Sequence, residues 1–153
     1  MTSFLTELRA NTDNSIPIGV AGYRWDGTHA IALTHGTTAL PDSTWTLVNC
    51  VFAVHPSGLD FLSDIEKISL PFSLAIGDKD IVMGSKMVEE SRQILEKKKG
   101  RVHSEVVVYA GAKHGFAVRG DSGSEKEAEQ EAQAQDQAVR WFGRWFAEGK
   151  REV

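Results

Sequence analysis

The chain has 153 residues, 41% hydrophobic and 25% charged, enough for one globular domain (1–153) with a sizeable core. Its net charge of −4, with Lys97-Lys98-Lys99 as the one basic run, argues against a general nucleic-acid binder. A single cysteine allows no internal disulfide, no apolar stretch approaches a membrane span, and the first residues lack a signal peptide's regions, so a cytoplasmic protein without membrane contact is expected.

Residues 3–10 place Phe4, Leu5 and Leu8 on one side of a short amphipathic helix, and a polar turn follows. Residues 16–21 read as the first strand and residues 28–35 as a helix stopped by Gly36. A loop with Pro41-Asp42-Ser43 covers residues 37–46. Residues 47–54 are almost wholly apolar, as in a strand buried on both faces, and Cys50 within them reads as a small core residue. His55-Pro56-Ser57-Gly58 breaks that strand, and residues 60–67 add a helical turn.

Residues 70–76 form a third strand closed by Gly77-Asp78-Lys79-Asp80. Residues 85–98 form a helix with Met87, Val88, Ile94 and Leu95 inward, ended by Gly100. A fourth strand covers residues 102–109, a turn residues 120–124, and a long helix residues 125–147. That last helix is polar at its start and apolar at its end, through Val139, Trp141, Phe142, Trp145 and Phe146. Strands alternating with helices predict an α/β fold, about four parallel strands flanked by helices, with the first strand at an edge.

Between the first strand and its helix lies Gly22-Tyr23-Arg24-Trp25-Asp26. A strand-to-helix turn of the form G-x-nucleophile-x-G lifts its central side chain clear of the sheet. Here the first glycine is present, but Arg24 stands at the centre and Asp26 at the second glycine. A guanidinium only donates hydrogen bonds, so it can neither attack nor act as a base. The amides of the turn and the helix N-terminus still favour an anion. Arg24 either binds a ligand there or plugs the pocket, paired with Asp26.

Ligands of parallel sheets sit beyond the C-terminal ends of the strands. The four strands end at Tyr23-Arg24, His55, Asp80 and His114, so these groups should converge. An order of elbow, acid and histidine is that of α/β-hydrolases; the acid fixes the imidazole tautomer and the imidazole moves a proton. Asp78 rivals Asp80 for this place, and Asp80 could instead cap the helix that follows.

With these residues the sequence resembles the dienelactone hydrolase family. The resemblance rests on Gly19-Val20-Ala21-Gly22-Tyr23, on Ile76-Gly77-Asp78-Lys79-Asp80, and on Gly111-Ala112-Lys113-His114-Gly115-Phe116-Ala117-Val118-Arg119-Gly120-Asp121. His55-Pro56-Ser57 and Ala138-Val139-Arg140-Trp141-Phe142 look like its fungal-type members. It spans nearly all of this chain but only the C-terminal part of a family domain, without the family's N-terminal strands. It implies Asp80 as the acid, His114 as the histidine, and Arg24 where the family carries a nucleophile, usually cysteine. It also implies a basic residue near substrate at Arg119.

The expected function is therefore acid–base chemistry by His114 and Asp80 on a small, anionic oxygenated metabolite, without a covalent intermediate and without a cofactor. Lactone, ester or polyketide-like compounds are the expected class, and cyclisation, dehydration or isomerisation the expected reaction. Arg24, Tyr23, Trp25, His55 and Arg119 are the expected binding residues. Hydrolysis by activated water and a catalytically inactive binding or scaffolding module are the alternatives. An uncovered first strand further predicts a homodimer.

Overall fold

The computed structural model describes residues 2–13, 15–36, 45–119 and 124–148. Most of the loop expected at residues 37–46 and of the turn at 120–124 lies outside them. Nine elements follow in order: α1 (Thr2–Ala10), β1 (Gly19–Tyr23), α2 (Trp25–Ala32), β2 (Cys50–Val54), α3 (Ser63–Glu66), β3 (Phe72–Lys79), α4 (Ser85–Lys97), β4 (Ser104–Lys113) and α5 (Glu125–Glu148). The strands form one parallel sheet in the order β1-β2-β3-β4, so β1 is an edge, as expected.

Burial explains the order. Every residue of β2 is buried, because its apolar side chains face helices on both sides of the sheet. One face packs Val51, Ala53, Leu74 and Ile76 against Leu5, Ile31, Ile65, Val88 and Leu95 of α1 to α4. The other packs Cys50, Phe52, Val54 and Ala75 against α5 through Ala134 and Trp141. On α5 the buried positions are Gln130, Ala134, Gln137 and Trp141, a helical spacing. Buried Gln137 is satisfied on both sides: Tyr109 donates to its carbonyl at 2.7 Å, and its amide donates to Ser73 Oγ at 2.9 Å. Cys50 lies in this core, where burial pushes its thiol up to about 12 and leaves it protonated and inert.

Several boundaries differ from the sequence reading, for local reasons. β1 starts at Gly19 rather than residue 16 because side chains hold the approach: Arg9 donates to the Ile16 carbonyl at 3.0 Å, and Asn49 Oδ1 accepts from the Ile18 amide at 2.8 Å. The same Asn49 oxygen accepts from Arg9 at 2.8 Å, locking α1 beneath the β1–β2 pair. The helix after β1 begins at Trp25 rather than residue 28, since a single residue makes the turn. β3 and β4 run past their expected ends to Lys79 and Lys113, with a register irregularity opposite Gly77–Lys79.

Candidate active site

Each strand hands its C-terminal end directly to one of the expected residues. Arg24 follows β1, His55 follows β2, Asp80 follows β3 and His114 follows β4. The sheet's parallel register brings the four strand ends to one side.

Arg24 adopts φ 55° and ψ −120°, the left-handed turn of an elbow. For a side-chain-bearing residue such a conformation costs about 1–3 kcal/mol and persists only where its surroundings enforce it. They do here: the Arg24 amide donates to the Val54 carbonyl at 3.0 Å, and its own carbonyl accepts from Gly27 at 3.1 Å and Ser57 at 3.0 Å. Gly22 allows the helix to fold back so closely, since a Cβ there would lie 2.4 Å from the Asp26 carbonyl oxygen. The elbow therefore stands without its usual second glycine, and Asp26 points to solvent.

The acid and the histidine are joined. His114 Nδ1 lies 2.9 Å from Asp80 Oδ2, with the Asp80 side chain fully buried and that of His114 12% exposed. The second oxygen, Asp80 Oδ1, accepts from the amides of Val82 at 2.8 Å and Met83 at 2.9 Å. A carboxylate held by three donors cannot rotate, and it fixes His114 with Nδ1–H toward Asp80 and Nε2 free. Asp78, the rival acid, is committed elsewhere: its Oδ1 accepts from the Gly111 amide at 2.6 Å.

His55 lies under this pair. It is fully buried, with its ring centroid 5.1 Å from that of His114, 5.6 Å from Phe116 and 6.2 Å from Tyr23. Neither ring nitrogen has a hydrogen-bond partner among the described residues. Burial, then the neighbouring His114 and, less, Arg24, outweigh the ring's approach to its own backbone and Asp80 and push its pKa down to about 4, so the ring is neutral. Arg24 Nη1 is also buried without a partner, 3.9 Å from where a Cβ on Gly115 would sit. No ion pair joins Arg24 to Asp26 among the described residues, contrary to the pairing considered from sequence. The turn at Arg24 sends its side chain back over Gly115 while Asp26 faces outward.

Of the remaining expected residues, Tyr23 borders this centre beside His55 and Arg119 beside His114, while Trp25 packs on His29. Half-buried Tyr23 has its phenol held above its ordinary range by burial and by Glu131. Trp25 is 66% exposed, its ring edge-on to His29 at 4.3 Å. Arg119 lies with Lys113, His114 and Glu127 around a cavity of about 260 Å³ beside the histidine. A larger cavity of about 430 Å³ lies between α4 and β4, remote from the dyad, and carries no comparable acid–base pair. Sequence reasoning missed the Val82 and Met83 amides, which no side-chain pattern reveals, and Lys113, masked by its more telling neighbour. Among the described residues, no group of three or more His, Cys, Asp or Glu side chains is arranged to hold a metal ion.

Four parallel strands flanked by helices, with an elbow after β1, a buried acid after β3 and a histidine after β4, define an α/β-hydrolase type of fold. The model of the dienelactone hydrolase family matches residues 4–146, and this chain belongs to that family. No curated protein matches it. Among solved structures, it is similar to a candidate dienelactone hydrolase from Klebsiella pneumoniae, at 17% identity and a TM-score of 0.69 over 92% of this chain and 57% of the other. It is similar to a dienelactone hydrolase-like promiscuous phosphotriesterase from metagenomic libraries, at 18% identity and a TM-score of 0.69 over 93% and 58%. The esterase 2 of Thermogutta terrifontis phosphorylated by paraoxon is similar at 18% identity and a TM-score of 0.65 over 91% and 61%. At such identities the likeness shows the fold alone, and the chain spans less than two thirds of each structure's length. Among the described residues, no helix is long and apolar enough to cross a membrane.

Proposed function

We propose that this chain is an acid–base enzyme acting on a small, anionic oxygenated metabolite of the lactone, ester or polyketide-like class. The observation that carries this reading is the His114–Asp80 pair at 2.9 Å, built and clamped beside an elbow whose nucleophile position holds arginine. His114 Nε2 takes a proton from carbon or oxygen of the substrate and returns it to another atom, completing a cyclisation, dehydration or isomerisation. Negative charge developing on substrate oxygen falls near Arg24 and the Trp25 and Asp26 amides at the start of α2. Tyr23, Trp25, His55 and Arg119 shape and orient the bound molecule. No covalent intermediate forms, since Arg24 cannot attack and the Cys50 thiol is buried and protonated.

A second reading has its own observation. The buried, unpartnered Arg24 Nη1 over Gly115 supports a filled pocket and a module that binds without turning over.

Intact-mass measurement after exposure to an activated ester tests the chemistry. The wild type should gain no acyl group, while Arg24→Cys, placing a thiol at the elbow beside His114, should gain one. An acyl adduct on the wild type would refute the non-covalent reading. Small carboxylate-bearing lactones and enols, followed by NMR in D2O, should show deuterium uptake that Arg24→Ala slows. Absence of any turnover or exchange across that set would leave the binding module.

A further inference from the structure

The register of the sheet changes just before the histidine. From Phe72↔Ser104 to Gly77↔Tyr109 the partners on β3 and β4 differ by 32 in number, but at Lys79↔Lys113 they differ by 34. Ala110, Gly111 and Ala112 of β4 therefore stand against Asp78 alone, and the strand bulges by two residues. This shift decides where His114 arrives. A ladder continued at 32 would set it level with Val82, two residues and roughly 7 Å beyond the acid. At 34 it falls level with Asp80, and the 2.9 Å bond between them can form.

The bulge is held at each of its residues. Asp78 Oδ1 accepts from the Gly111 amide at 2.6 Å. Gln130 of α5, 6% exposed, donates from its side-chain amide to the Ala110 carbonyl at 2.8 Å. Ala112 closes over Gly77, where a Cβ would lie 2.0 Å from the Ala112 carbonyl oxygen. Neither Asp78 nor Gln130 is hydrogen-bonded to Asp80 or His114 among the described residues. Both act on the strand that carries the histidine.

We propose that Asp78 and Gln130 are positioning residues for His114, holding the Ala110–Ala112 bulge so that the imidazole meets Asp80. The inference rests on the His114–Asp80 pair as the reacting centre proposed above. It gives the two acids of Gly77-Asp78-Lys79-Asp80 separate tasks: Asp80 holds the imidazole itself, and Asp78 sets the place to which the strand delivers it. A working site tolerates displacements of roughly 0.5 Å. Two residues of slack next to His114 exceed that many times over, so the bulge has to be tied down from β3 and from α5.

NMR of isotope-labelled protein tests this without any turnover, through the His114 Nδ1 proton that Asp80 holds. In the wild type that proton should give a downfield signal in slow exchange with water. Asp78→Ala and Gln130→Met each remove one bond and should speed the exchange by about tenfold, the worth of one such hydrogen bond. The double variant should lose the signal. Asp78→Asn keeps an oxygen for the Gly111 amide and should retain the wild-type signal. Asp78 is exposed and methionine matches glutamine in length, so far-UV spectra should stay unchanged. On any substrate turned over, Asp78→Ala should lower kcat by a similar factor at nearly constant KM. An Nδ1 proton that exchanges equally fast in the wild type and the double variant overturns the positioning role, and so does Asp78→Asn behaving like Asp78→Ala. The expected pattern of signals in a protein that turns nothing over would refute the acid–base enzyme and leave the positioning of His114 standing.

Discussion

Asp80→Asn is expected to lower turnover by about 10²–10⁴-fold while leaving the melting temperature close to that of the wild type, because proton transfer by a positioned side chain is worth that much. The substitution preserves shape. A carboxamide oxygen can still accept from Val82 and Met83, which hold Oδ1 at 2.8 and 2.9 Å. The amide nitrogen then faces His114 Nδ1 and donates to it, so the ring takes the other tautomer, with its proton on Nε2 and no lone pair toward the substrate. His114→Ala should cost turnover by a similar factor, but it strands the buried Asp80 Oδ2 and should destabilise the fold by about 1–3 kcal/mol. The pair of variants therefore separates chemistry from stability. Arg24→Ala should act differently, weakening binding or stabilisation of the anion without removing the proton carrier. Turnover in Asp80→Asn within a factor of a few of the wild type would place the base elsewhere.

Much of this arrangement is legible in the sequence because a parallel sheet converts chain order into spatial convergence. Four apolar runs, each ending in one polar residue, put Arg24, His55, Asp80 and His114 on one rim without any knowledge of side-chain contacts. What stays hidden depends on the backbone. Asp78 and Asp80 are two residues apart, and composition offers no way to choose between them. The choice is made by the Val82 and Met83 amides, which collect Asp80, and by the Gly111 amide, which collects Asp78.

The start of β1 is hidden for a similar reason. Residues 16–18 look like strand, but Arg9 and Asn49, distant in sequence, take up their backbone groups first. Arg24 and Asp26 are near neighbours of opposite charge, so the sequence allows their pairing. It does not form because the left-handed φ at Arg24 separates their directions. The Gln137 network on α5 had no signal at all, since a glutamine among apolar helix positions reads as a surface residue until its partners, Ser73 and Tyr109, are placed beside it.

The neutral, buried His55 should make the protein acid-sensitive. Its pKa in the folded chain is about 4, against 6.5 for the free imidazole. Burial is the largest cause, and the nearby His114 and, less, Arg24 add to it against the opposing effects of the ring's own backbone and of Asp80. Because the folded value is the lower one, the unfolded chain binds the proton first as pH falls. The stability tied to a neutral His55 is therefore complete above about pH 6.5 and is lost between there and about pH 4. The loss is on the order of 3 kcal/mol, or roughly 6–12 °C in melting temperature for a chain of this size. Asp13, also lowered from its ordinary value, titrates beneath this window. His55→Phe should flatten the slope, because phenylalanine has no proton to gain and suits the aromatic surroundings of Phe116, Tyr23 and the His114 ring. It also removes two ring nitrogens that have no partner. Melting curves of both proteins at intervals from pH 7.5 to 4.0 provide the comparison, with the wild type falling and the variant nearly level down to about pH 5. Parallel slopes would mean that His55 takes up its proton in the folded chain as readily as in water, and that the site beneath His114 is wet rather than closed.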